Sequence, residues 1–171
     1  MRTPLVAGNW KMNKTVEQAK SLVSEMLPGL KSIKGVEKVI CSPFTSLSTL
    51  SADLAGSGVG LGAQNMHWEA SGAFTGEVSP AMVKELCQYV IIGHSERRQY
   101  FAETDETVNK KVKAALAIGL TPIVCVGESL AQYEAGETKA VVNRQISEGF
   151  KGIEAAEAAK IVVAYEPIWA I

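Results

Sequence analysis

Six short apolar runs punctuate the chain: "PLVAG", "EKVICS", "VGLGA", "YVIIG", "TPIVCVG" and "KIVVAY". Their apolar positions are contiguous rather than alternating with polar ones, and Val and Ile are favoured. That is the pattern of strands covered on both faces, as in a parallel sheet. Between several runs the period changes to that of a helix. In "TVEQAKSLVSEMLPGL", residues Val16, Ala19, Leu22, Val23, Met26 and Leu27 share one face, and Pro28-Gly29 is expected to end the helix. Thr104 or Asp105 is placed to cap "ETVNKKVKAALAIG", where Val108, Val112, Ala115 and Leu116 line one face before Gly119. "TKAVVNRQISEGF" aligns Val141, Val142, Gln145 and Ile146 in the same way, and shorter helices are expected in "PFTSLSTLSADLAG" and "SPAMVKELCQ". Strand and helix therefore alternate, which requires right-handed crossovers and a parallel sheet in an α/β fold.

The spacing narrows the architecture. The intervals between strand starts near Leu5, Glu37, Val59, Tyr89, Thr121 and Ile161 average about 31 residues. Eight such units make roughly 250 residues, the usual length of a closed TIM-type (β/α)8 barrel. Residues 1–171 supply five βα units plus a sixth strand of one such domain. A doubly wound open sheet is the alternative, since six parallel strands would complete it. No G-x-G-x-x-G or G-x-x-x-x-G-K-[ST] follows any of the strands.

Composition removes several function classes. Hydrophobic residues make up 47% and charged residues 20%, an ordinary globular balance. Seventeen basic residues against eighteen acidic ones give a formal charge of −1, which points to neither a nucleic-acid nor a membrane surface. Cys41, Cys87 and Cys125 lack C-x-x-C spacing and sit in or beside apolar segments, so buried, reduced thiols are expected. The N-terminus has no secretory apolar core and no run is long enough to span a bilayer, so a cytoplasmic location is expected.

Polar residues recur just after the apolar runs. Asn9 and Lys11 follow the first, Gln64 and Asn65 the third, and His94, Ser95 and Glu96 the fourth. Glu128 follows the fifth and Glu166 the sixth. In a parallel sheet these ends share one side, where α/β active sites collect. Each has a plainer reading: Lys11 as solvated surface, His94 as a hydrogen-bonded structural residue, Glu166 as a cap or ion-pair partner. His94, however, opens "HSERRQYF", a possible helix start whose dipole and free N–H groups disfavour an imidazolium. Glu166 follows "IVVA" directly, so partial desolvation that raises its basicity is expected. A base, a neutral imidazole and a cation suit proton abstraction next to a carbonyl, with the enolate stabilised by Lys11 and His94. A metal site is not expected, because His67 and His94 are distant and neither has a ligand at helical spacing. A G-x-S-x-G elbow is absent. A Schiff-base role for Lys11 fits poorly with its place beyond the strand.

Six stretches together resemble the triosephosphate isomerase family: "AGNWKMNK", "GAQNM", "SGAFTGEVS", "IIGHSERR", "PIVCVGE" and "AYEPIWAI", in family order and spacing across the whole chain. The resemblance implies a (β/α)8 barrel that interconverts dihydroxyacetone phosphate and glyceraldehyde 3-phosphate without cofactor or metal. By position, it implies that Glu166 shuttles the proton and that neutral His94 acts at the substrate oxygens. Lys11 would neutralise enediolate and phosphate charge, and Asn9 would contact the substrate. Glu96 and Cys125 would support the site from behind. Pro167, Ile168 and Trp169 would form the first hinge of a lid that keeps the intermediate from water. Thr75 would lie at the tip of a loop within 64–80 that reaches a partner subunit in a homodimer.

By the family's pattern, the rest of the lid, two more strands and the phosphate-cradling loops lie beyond Ile171, roughly 80 residues by the same spacing. The 171 residues are therefore expected to be a C-terminally incomplete barrel domain with a complementary C-terminal segment as partner. The alternative is an inactive barrel fragment or a folding or interaction module that lacks the phosphate-binding loops.

Overall fold

The structure, a computed structural model, describes residues 2–171. All six apolar runs are strands: β1 (Leu5–Asn9), β2 (Glu37–Ser42), β3 (Gly60–Ala63), β4 (Tyr89–Ile92), β5 (Thr121–Val126) and β6 (Val162–Tyr165). They form one sheet with every pair parallel, in the order β1-β2-β3-β4-β5-β6. That order decides between the two architectures. A doubly wound sheet reverses its direction of growth at a switch point, whereas a barrel adds each strand to the same side. The sheet also curls: the Arg2 guanidinium, ahead of β1, donates to the Ile161 carbonyl just before β6 at 2.7 Å. Six parallel strands thus make a curled half-barrel. Among the described residues the outer edges of β1 and β6 pair with no further strand, and Val6 and Val163 are exposed there.

The continuous apolar runs conceal a two-residue alternation, because each face of the sheet has its own apolar cover. Val39, Cys41, Ile91, Ile123 and Cys125 pack together on the concave face, with Leu5, Val162 and Ala164 against them. Ile40, Leu61, Val90, Ile92 and Val124 point the other way into the larger core under the helices. The same alternation puts Asn9 and Glu166 in line with the inward-facing Leu5 and Ala164.

Thr15 and Gln18 form a reciprocal capping box for α1 (Val16–Ser32). α2 (Phe44–Asp53) follows β2, and Ser79 with Pro80 opens α3 (Pro80–Leu86). α4 (Ser95–Tyr100) follows β4, and Thr104, with Thr107 reciprocating, caps α5 (Asp105–Ala117). α6 (Leu130–Glu134), α7 (Thr138–Gly149) and α8 (Ala155–Ala158) complete the set, with a 3-10 turn at Ile168–Ala170. α6, α8 and this turn are too short to leave a periodic pattern in the sequence. At α1, α3, α4, α5 and α6 a side chain satisfies a free N–H group of the first turn.

One boundary differs from expectation. α1 runs through Pro28-Gly29 and continues to Ser32. Leu27 and Leu30 pack against the outer core, and the Ser32 hydroxyl and Lys38 ammonium donate to the Gly29 and Leu30 carbonyls. Burial on both sides of Pro28 holds the last turn despite the missing N–H. No helix among the described residues is long and apolar enough to cross a membrane.

Candidate active site

Lys11 sits where β1 ends, in a left-handed backbone conformation with φ of 53°. A non-glycine residue there costs of order 1–3 kcal/mol and persists only when its surroundings impose it. Here they do. The Asn9 side-chain oxygen accepts from the Lys11 N–H at 3.0 Å. Gln64, from the end of β3, donates to the Lys11 carbonyl at 3.0 Å and to the Cys41 carbonyl at 2.9 Å. The turn aims the ammonium at Glu96, whose Oε1 lies 2.8 Å from Nζ. Asn9, Lys11, Gln64, His94 and Glu96 line one cleft of about 250 Å³.

His94 is the N-cap of α4 and is almost fully buried. Its Nδ1 accepts the Glu96 N–H at 3.2 Å, so the ring in this arrangement is neutral with its proton on Nε2. The turn that delivers it depends on Gly93, whose φ is +75° and where a Cβ would press on the Arg98 guanidinium and Val108. Both backbone groups of Gly93 are held: its N–H donates to Glu103 Oε1 at 2.7 Å and its carbonyl accepts from Arg98 Nε at 2.8 Å. Glu103 is buried and also binds Lys111 Nζ at 2.7 Å and Arg97 Nε at 2.8 Å. Burial pushes the Glu103 carboxyl upward, but Lys111, Arg97 and the Gly93 N–H outweigh it and hold it below the usual carboxylate range.

Glu166 follows β6 and its Oε2 lies 3.6 Å from His94 Nε2. That is too long for a hydrogen bond, and it leaves both groups facing one space. The side chain is 49% exposed, so about half of its surface is covered. β6 has no strand on its outer side among the described residues, so this flank of the mouth is open. Cys125 is buried beside Glu166 around a cavity of about 10 Å³, with its thiol pushed up to about 12 by burial first and then by the Glu166 charge. Cys41 and Cys87 are likewise free and buried.

One strand-end residue does not join the mouth. The Glu128 carboxylate is fully buried and accepts from the Tyr165 hydroxyl at 3.1 Å and the Trp169 indole N–H at 3.1 Å. Burial raises its pKa, and those hydrogen bonds with its own backbone N–H more than offset it, leaving the carboxyl below its ordinary value. Asn65 does line the cleft beside Gln64, and its side-chain oxygen accepts from Lys111 at 2.7 Å, which ties the cleft wall to the network around Glu103. Pro167 leads into the 3-10 turn, where Trp169 stacks obliquely on Tyr133 with centroids 4.4 Å apart. Thr75 is exposed in the 64–80 segment, where His67 stacks on both Trp68 and Phe74. Among the described residues no group of three or more His, Cys, Asp or Glu side chains is arranged to hold a metal ion.

Sequence reading did not single out Glu103, Lys111, Arg97 or Gly127. Their contacts cross from one βα unit to another, and no local motif marks them. The one available signal was a charged Lys111 next to Val112 on the apolar face of α5.

The family model for triosephosphate isomerase matches residues 4–171. The triosephosphate isomerase of Carboxydothermus hydrogenoformans is 54% identical, over 100% of this chain and 68% of its own. That of Moorella thermoacetica is 55% identical, over 100% of this chain and 69% of its own. A crystal structure of triosephosphate isomerase from Bartonella henselae superposes with a TM-score of 0.90 at 40% identity, covering 98% of this chain and 69% of that one. The chain belongs to the triosephosphate isomerase family.

Proposed function

We propose that the chain is the part of a triosephosphate isomerase that carries the proton-transfer chemistry, with Glu166 as base, His94 as electrophile and Lys11 as the fixed cation. The observation that carries this reading is the pair of His94 contacts. Nδ1 is occupied by the Glu96 N–H, and Nε2 is aimed at the space beside Glu166. Glu166 removes a proton from C1 of dihydroxyacetone phosphate, and the electron pair moves onto the C2 oxygen. The Nε2–H of His94 donates to that oxygen as its charge develops, which is worth most where the donor is held in place beforehand. His94 passes its Nε2 proton to the C2 oxygen and takes one back from the C1 hydroxyl, whose oxygen becomes the carbonyl as the protonated Glu166 returns its proton to C2, giving glyceraldehyde 3-phosphate. Lys11 balances the enediolate and phosphate charge from across the mouth, and Asn9 adds a substrate contact beside it. Glu96 and Cys125 support the site rather than react.

Pro167, Ile168 and Trp169 act as the first hinge of a lid that excludes water from the enediolate. The half-barrel supplies six of the eight staves of a barrel domain, and a complementary C-terminal segment fills the other two. The 64–80 loop joins two copies into a homodimer, with Thr75 at its tip. Buried reduced thiols suit a cytoplasmic enzyme. Steady-state kinetics in both directions test the roles. Glu166→Asp lowers kcat severely with little change in KM, since the shorter base must reach farther. His94→Asn lowers kcat by about two to four orders of magnitude. Near wild-type kcat in both variants would sink the assignment.

A further inference from the structure

Gln145 is a buried polar residue on the inward face of α7, next to the buried Val141, and its amide has one partner residue. Its Oε1 accepts from the Gly127 N–H at 2.9 Å and its Nε2 donates to the Gly127 carbonyl at 3.3 Å. Gly127 lies one residue past β5, where the neighbouring β4 has already turned away at Gly93. The amide therefore takes the place of a strand partner for that one residue. Burying an amide costs free energy unless both ends are bonded, and here both bonds go to a single backbone unit.

Gly127 is also the residue on which the Glu166 backbone rests. A Cβ at position 127 would run into the Glu166 carbonyl oxygen. Hydrogen bonds on either side complete the template: the Glu166 N–H donates to the Val126 carbonyl at 2.9 Å, and the Ile168 N–H donates to the Glu128 carbonyl at 2.9 Å. Residues 126–128 thus set the path of residues 166–168, and Gln145 fixes the middle of that template from the helix layer. We propose that Gln145 is a positioning residue for the base: by pinning Gly127 through both its backbone groups, it sets where the Glu166 carboxylate stands relative to His94. The inference rests on the role proposed above for Glu166.

The test is kinetics of Gln145→Met, which keeps side-chain bulk and removes both bonds, beside Glu166→Asp as the reference for a displaced base. Gln145→Met is expected to lower kcat by about 10- to 100-fold, with KM changing much less, since a misplaced reacting group costs rate more than binding. The primary isotope effect with C1-deuterated dihydroxyacetone phosphate should rise towards that of Glu166→Asp, because proton abstraction becomes the slow step. A role in stability alone would lower the melting temperature and the yield of active protein without moving the isotope effect. Gln145→Glu keeps the acceptor for the Gly127 N–H, and should show the same pattern at smaller size, even where Gln145→Met does not fold. A folded Gln145 variant with wild-type kcat and isotope effect overturns the proposal. If Glu166→Asp is also unaffected, the reading of Glu166 as base fails first.

Discussion

At the scale of single residues, the reacting groups are held by backbone contacts more than by each other. His94 depends on Gly93, which depends on Glu103 and Arg98; Lys11 depends on Asn9 and Gln64. Glu103 is the most connected of these and its pairing with Lys111 is buried, so removing one partner strands a charge. Burial pulls the Lys111 ammonium down while Glu103 pushes it back up, and the net shift is downward. Glu103→Gln is therefore expected to destabilise the protein at neutral pH by about 3–5 kcal/mol, the scale for a broken buried ion pair. The pH dependence has a defined sign. The folded Glu103 carboxyl titrates below its ordinary value of 4.5, so its contribution is fully present above that pH. It is lost as pH falls through the lower, folded value. Thermal melts from pH 7 to pH 3 should show the gap between wild type and Glu103→Gln closing on the acid side. A gap that stays constant across this range would contradict the account.

At the scale of elements, the strand-to-helix turn at 93–95 is the most demanding junction. Ala at position 93 would need a left-handed backbone and would crowd Val108 and Arg98. Gly93→Ala should cost more than the roughly 1 kcal/mol of an ordinary left-handed penalty. It should also lower kcat, because it displaces His94. A circular-dichroism melt with a parallel assay checks both, and a variant with unchanged melting and rate would show that the turn is not restrictive. The strands were legible in the sequence as contiguous apolar runs, helix α1 from the spacing of Val16, Ala19 and Val23, and helix α5 from its Thr104 cap and the face from Val108 to Leu116. The end of α1 was not, because Leu30 and Lys38 hold the turn after Pro28 through contacts outside the helix. Asn9, Lys11, His94 and Glu166 could be picked out because parallel strands align their ends. Glu128 shared that signal but faces Tyr165 and Trp169, since a strand end fixes position and not side-chain direction. Gln145 read as one more position on a helical face, and only its contact with Gly127 distinguishes it.

At the scale of the whole molecule, the sequential strand order and the reach from Arg2 to Ile161 make an arc that collects residues 9 to 166 at one mouth. Phe74 within the 64–80 loop and Met82 just beyond it are exposed, apolar surface of the kind that pairs subunits. Sedimentation should give a species of twice the protomer mass, and Thr75→Glu should shift it towards monomer by placing an unpaired charge in the contact. A monomer at tens of micromolar for both would remove the dimer from the account. The central claim is that this mouth moves a proton with Glu166 as its base, and kcat/KM for dihydroxyacetone phosphate, wild type against Glu166→Gln, tests it most directly. The wild type should isomerise the substrate measurably, and the variant should lose about 10²- to 10⁴-fold. Equal rates in the two proteins would contradict it.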